Sequence, residues 1–133
     1  MQVKIDTREK FTVLTPDTDC LSDNLTAELS SVISAYLQNT VKNVVLNLKN
    51  VSAVEDMAAE GLTKLQQQFY ESSASFVICE IQNSVEEKFD QLELLHLLNI
   101  TLTESEAWDI VQMEEIEREL MDGDDMEFNA IED

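Results

Sequence analysis

The sequence predicts an α/β fold: an N-terminal β-hairpin, then alternating helices and strands that form a mostly parallel sheet of four to five strands with about four helices. Three observations predict it. Short runs rich in β-branched and apolar residues, at 44–48 and 76–81, have the length and composition of buried strands. The segments between them carry apolar residues at helical spacing. Strands and helices alternating at this interval match right-handed crossovers between parallel neighbours.

Residues 3–6 and 11–15 read as two short strands joined by the polar link Thr7-Arg8-Glu9-Lys10, hence an antiparallel hairpin, and Pro16-Asp17-Thr18-Asp19 breaks the pattern. Leu25, Leu29, Val32, Ile33, Tyr36 and Leu37 then fall on one helical face, with Ser22, Asp23 or Asn24 available to cap it. The strand at 44–48 leads through a loop into a second helix. Asp56 is its expected cap, and Ala58, Leu62, Leu65 and Phe69 form its core face. After the strand at 76–81, Ser84-Val85-Glu86-Glu87 has the form of a capping box, opening a helix with Val85, Phe89 and Leu92 inward. A last strand is expected at 97–102. Thr103-Glu104-Ser105-Glu106 is a second capping box, and its helix runs through Ala107, Ile110 and Val111 to about Leu120. Asp122-Gly123-Asp124-Asp125 is the expected stop. The domain therefore spans 1–121 with an extended C-terminal helix, and 122–133 is expected to be an acidic, flexible tail with Met126, Phe128 and Ile131 as scattered apolar residues.

With 133 residues there is room for one domain and a real core. The charge is extreme: 8 basic residues against 28 acidic, net −20. A field of that sign repels nucleic acid and anionic membrane, so the natural partner is a protein with a cationic patch. Residues 104–133 hold 13 of the acidic residues and a single basic one, Arg118. No apolar run approaches the roughly 20 residues of a membrane span. Cys20 and Cys79 are far apart and lack metal-site spacing; with no secretory signal, they read as reduced thiols of a cytoplasmic protein, Cys79 in the core.

Catalytic readings find little support. His96 is the one histidine; its apolar neighbours suggest a half-buried structural role, and no nucleophile motif accompanies it. Gly61 and Gly123, the two glycines, belong to no phosphate-cradling pattern. Asp122, Asp124 and Asp125 lack the spacing of a calcium loop. Neither cofactor nor metal is expected, and the protein is not expected to be an enzyme.

The stretch Val44-Val45-Leu46-Asn47-Leu48-Lys49-Asn50-Val51-Ser52, with Phe76-Val77-Ile78-Cys79 and Val85-Glu86-Glu87-Lys88-Phe89-Asp90, resembles the central strand, later strand and helix of STAS domains. That family includes anti-sigma-factor antagonists and the cytoplasmic domains of sulfate transporters. The resemblance covers about residues 3–115. It implies a regulatory, protein-binding module of the anti-sigma-factor-antagonist kind that meets its partner through the strand-to-helix loop and the second helix. Ser52, Glu55, Asp56, Met57, Ala58 and Glu60 are the partner-binding candidates. Phosphorylatable members carry Asp-Ser-Ser-Gly there, and a partner kinase modifies the second Ser. Counted without a gap, Glu55 takes the Asp place, Asp56 the first Ser, Met57 the acceptor and Ala58 the Gly; one inserted residue puts Ala58 at the acceptor instead. Neither register supplies a hydroxyl, so the phosphorylation switch does not carry over. The acidic side chains suggest a permanently anionic loop near the amino end of the second helix, in the manner of a phosphate mimic. An anti-sigma factor is one expected partner; the alternative is the ATPase subunit of an ABC-type lipid-transport complex. Met113, Ile116 and Leu120 extend an apolar stripe beyond the family's usual end, and fit either a solvated extension of the helix or a surface that docks on another chain, a second copy as a homodimer or a different partner.

Overall fold

The computed structural model describes the backbone of residues 2–132 and the side chains of residues 2–120. The chain opens with β1 (Gln2–Thr7) and β2 (Thr12–Asp17), antiparallel, with Gln2 opposite Asp17 and Thr7 opposite Thr12. There follow β3 (Cys20–Leu21), α1 (Asp23–Ala35), β4 (Val44–Asn47), β5 (Ala53–Val54) and α2 (Asp56–Glu71). The chain then forms β6 (Phe76–Cys79), α3 (Asn83–Gln91), β7 (Ile100–Thr101) and α4 (Glu104–Glu132). The main sheet has the order β1-β2-β4-β6-β7, parallel from β2 onward. This is the predicted class, with five strands and four helices. β3 and β5 form a separate two-residue parallel pair.

The sheet is covered on both faces. Leu14, Val44, Leu46, Phe76 and Ile78 meet Leu29 and Ile33 of α1, Leu62, Leu65 and Phe69 of α2, and Val85 and Phe89 of α3. On the other face Phe11, Val13, Val45, Val77 and Cys79 meet Ala107 and Val111 of α4. Because the central strands are buried on both sides, they read as continuous apolar runs with no alternation. Gly61 lets α2 approach α1 closely: a Cβ there would stand 3.3 Å from the Thr26 methyl.

Several expectations need correction. Pro16 does not break β2. Pairing with β4 covers only Thr12 to Leu14, so a missing N–H at Pro16 falls past that ladder. Val32 points to solvent, and the buried face of α1 is Thr26, Leu29 and Ile33. The last strand is only Ile100–Thr101, because Leu95–Leu97 curl into a 3₁₀ turn and leave Leu97 and Leu102 exposed. His96 sits in that turn and is exposed, not half-buried. The backbone of α4 continues through Asp122-Gly123-Asp124-Asp125. One glycine costs a helix only about 1 kcal/mol, and no proline follows to enforce a stop. The side chains of Met126, Phe128 and Ile131 lie outside the described residues. Among the described residues no helix is long and apolar enough to cross a membrane.

α2 and α3 both close in Schellman motifs: Ala74 N–H donates to the Phe69 carbonyl at 2.9 Å, and Leu94 N–H to the Phe89 carbonyl at 2.8 Å. The left-handed residues in these motifs are Ser73 (φ 58°) and Glu93 (φ 59°), where glycine is the usual choice. Ser73→Gly and Glu93→Gly are therefore each expected to raise unfolding stability by about 0.5–1 kcal/mol, read as a higher urea midpoint. An unchanged or lower midpoint for both would mean that the left-handed backbone carries no strain.

The two thiols differ sharply. Cys20 is exposed, and Cys79 is buried between sheet and helix. Burial, reinforced by the Glu80 and Glu104 carboxylates, pushes the Cys79 thiol up from 9.0 to about 12. The expected result with an alkylating reagent at neutral pH is one reactive thiol in the native protein and two in denaturant. A raised thiol pKa also means that the folded state holds its proton longer than the unfolded state does. Stability from this group is intact below pH 9 and falls as pH rises from 9 to about 12, by about 1.4 kcal/mol per unit. A Cys79→Ala variant should lose that alkaline slope.

Candidate functional site

The junction between β4 and α2 is built as a brace. After Asn47 the chain turns, with Leu48 and Val51 buried. Ser52 N–H and Ala53 N–H both donate to the Asp19 carbonyl, at 2.7 and 3.1 Å, and the Ser52 hydroxyl donates to the same oxygen at 3.2 Å. The β3–β5 pair then fixes Val54 inward, and Glu55 N–H donates to the Leu21 carbonyl at 3.0 Å.

Glu55, not Asp56, is the N-cap of α2, and its side chain does not cap its own helix. Its Oε1 instead accepts from Asp23 N–H at 2.9 Å, in the first turn of α1, where free amides and the helix dipole favour a carboxylate. Asp56 pairs with Lys88 of α3, Oδ1 to Nζ at 2.7 Å. The Ser84 hydroxyl donates to the Ser52 carbonyl at 2.6 Å, and Gln82 Nε2 to the Lys49 carbonyl at 2.9 Å. Ser84 is thus the second residue of α3 and not its cap, so the first predicted capping box does not form. The second does: Glu106 N–H donates to Thr103 Oγ1 at 3.1 Å and Thr103 N–H to Glu106 Oε1 at 3.2 Å.

This arrangement sorts the candidate residues. Ser52, Glu55, Asp56, Met57 and Glu60 lie together on the surface. Ala58 does not join them: it is buried with Ala59 and Leu62 on the core face of α2, where a contact with an outside molecule is excluded. The acidic side chains of this loop are partly engaged within the chain: Glu55 is turned onto the α1 amides, and Asp56, still largely exposed, pairs with Lys88. What faces outward from the first turn is the Met57 side chain, 61 % exposed, with Glu60 one turn on. Sequence reasoning missed Asp19, Asp23, Gln82, Ser84 and Lys88, which hold the loop from 32 or 33 residues away. No local pattern announces contacts at such separation.

The hydroxyls of Ser52 and Ser84 donate to backbone carbonyls, and His96 lies near Asp90, Glu93 and Leu95 at the far end of α3. Among the described residues no group of three His, Cys, Asp or Glu side chains is placed to hold a metal ion.

A second polar cluster sits at the carboxyl end of the sheet. Asn47 is buried, and its Nδ2 donates to Glu80 Oε2 and to Glu104 Oε1, both at 3.2 Å, while its Oδ1 accepts from Lys49 N–H at 3.0 Å. Arg8 stands 3.7 Å from Glu104 and from Asp6. This cluster ties β4, β6 and the start of α4 together.

Residues 2–107 match the family model of the STAS domain. The chain belongs to the STAS domain family. None of the curated proteins matches it. Among solved structures, this STAS domain is similar to a putative anti-sigma factor antagonist from Thermotoga maritima (16 % identity, TM-score 0.74, covering 83 % of this chain and 94 % of that one). It is also similar to an anti-sigma-factor antagonist domain protein from Planctomyces limnophilus (17 %, 0.71, 83 % and 97 %). A third likeness is to the murine anion transporter Slc26a9, 13 % identical with a TM-score of 0.65 over 78 % of this chain and 18 % of the transporter. At these identities the likeness is one of fold, and it agrees with the resemblance carried by the 44–52 segment. The matched region ends at residue 107, only one turn into α4. Most of that helix therefore lies outside what the STAS match accounts for.

Proposed function

We propose that the protein is a non-enzymatic regulatory module that docks the amino-terminal face of α2 onto a protein partner, of the anti-sigma-factor type, without a phosphorylation switch at that helix position. The carrying observation is Met57. It occupies the second position of α2, 61 % exposed, just after a loop held from three other elements, while Glu55 and Asp56 beside it are engaged within the chain. An exposed methionine on a rigid mount supplies adaptable apolar contact, with Ser52 and Glu60 as its polar surround. Similarity of fold to two anti-sigma-factor antagonists supports the class of partner.

The test pairs binding with modification. Met57→Glu should leave stability unchanged, since the side chain is outside the core, and weaken partner binding by about tenfold or more. Incubation with a kinase-type anti-sigma factor and ATP should place no phosphate between residues 52 and 63. Phosphate in that segment, or full affinity in Met57→Glu, overturns the reading. The other reading is a soluble subunit bound to the ATPase of an ABC-type transport complex; the fold's occurrence inside an anion transporter supports a transport setting and does not point to an ATPase. A transporter ATPase retained at moderate salt in stoichiometric amount would replace the first reading with this one.

A further inference from the structure

α4 carries two faces with different fates. Ala107 and Val111 are buried against the sheet. Glu114 and Arg118 follow them on that side, Glu114 Oε2 accepting from Asn99 Nδ2 at 3.3 Å and Arg118 donating to the Ser75 hydroxyl at 3.3 Å. Met113, Ile116 and Leu120, spaced i, i+3 and i+7, project from the opposite face and are 58, 54 and 56 % exposed. Three large apolar side chains in one row, where single exposed ones would be ordinary, form a surface that gains from being covered. Their position beyond residue 107 separates them from the part of the helix that the family match accounts for.

The charge around the row selects its occupant. Asp109, Glu117 and Glu119 are exposed along it. The one cation of 104–120, Arg118, is turned inward onto Ser75. A second copy of the chain would bring the same carboxylates against these, with no cation on either helix face to oppose them. Like charges set face to face disfavour that pairing. An apolar row in an anionic frame instead matches an amphipathic helix with lysine or arginine beside its apolar residues. We infer that the outer face of α4, centred on Met113, Ile116 and Leu120, is a docking surface for a basic amphipathic helix of another protein. It lies across the sheet from α2, so it is independent of the Met57 surface, and both can be occupied at once.

The probe is a synthetic helix-forming peptide of leucine and lysine, about 14 residues or four turns long, with its leucines on one face. Its leucine–glutamate counterpart is the control. Titrated into the isotope-labelled protein, the basic peptide should shift amide signals in residues 109–120, weaken at moderate salt, and lose about tenfold or more in affinity to the combined Met113→Ser, Ile116→Ser and Leu120→Ser variant. The acidic peptide should not bind. Far-UV circular dichroism and the urea midpoint of the variant check that it stays folded. Three outcomes overturn the inference: affinity unchanged in the variant, signal shifts spread over the acidic surface without focus on α4, or sedimentation as a dimer that the same substitutions dissolve.

Discussion

Asn47→Asp should destabilise the protein by about 3–5 kcal/mol at neutral pH, out of a total of about 5–15 kcal/mol. The native side chain is nearly inaccessible, and its amide donates to the Glu80 and Glu104 carboxylates at once. Hydrogen bonds to charged acceptors contribute about 1.5–3 kcal/mol each, and the substitution replaces their donor with a third carboxylate. Arg8, at 3.7 Å from Glu104, offsets only part of the repulsion. The pH dependence follows from sign. The introduced acid has a folded-state pKa raised by its two anionic neighbours, so it prefers its proton in the native state. Its penalty is absent below the unfolded value of roughly 3.9 and grows as pH rises through the folded one. Urea unfolding at neutral and at acidic pH should therefore show a gap between variant and parent that narrows with acid. Equal stability at neutral pH would mean that the Asn47 amide is not the donor that holds β4 to β6 and α4.

Phe69→Ala is the second large effect, again about 3–5 kcal/mol. Phe69 is fully buried in the last turn of α2, with its ring centroid 5.5 Å from that of Phe76 in a tilted arrangement. The substitution removes the transfer energy of the ring, leaves a cavity between helix and sheet, and forfeits about 1 kcal/mol of aromatic pairing. The Schellman bond from Ala74 N–H to the carbonyl of residue 69 is a backbone contact and stays available in the variant. The informative control is the proposed partner binding through Met57, three turns away on the same helix. Under conditions where the variant is folded, affinity should match the parent, because Glu55, Asp56 and the Asp19 carbonyl still fix the first turn. A destabilisation below about 1 kcal/mol would contradict the packing described for this end of α2.

Much of this architecture was legible because its elements are locally consistent. The central strands announce themselves through Val44 to Leu46 and Phe76 to Cys79, and α2 through Ala58, Leu62, Leu65 and Phe69, all of which are buried. The box at Thr103 to Glu106 forms because α4 begins at Glu104, which leaves Thr103 at the cap position with its oxygen free to accept. The one at Ser84 fails because α3 begins a residue earlier, at Asn83, so Ser84 lies inside the first turn, where its hydroxyl donates to the Ser52 carbonyl. The same physics hid the site. Met57 and its surface neighbours enter as candidates through the chain's resemblance to its family, yet the engagement of Glu55 with α1 and of Asp56 with α3 depends on tertiary approach. The two-residue β3–β5 ladder is too short to leave a periodic signal. Ala58 falls on the core face of α2, and a position in a motif says nothing of which side of the helix it takes.

The order of strands in the sheet has a consequence for synthesis. β2, β4, β6 and β7 are each laid beside the one made just before, so the sheet widens in a single direction as the chain leaves the ribosome. α1, α2 and α3 arrive in step and close one side. The other side, with Phe11, Val13, Val45 and Val77, has α4 as its cover, and α4 is translated last. A nascent chain with residues up to 103 outside the exit tunnel thus holds a complete sheet with one greasy face bare. That interval, while residues 104–118 are still in the exit tunnel, is when the protein is most exposed to misassociation and when a chaperone has the most to hold.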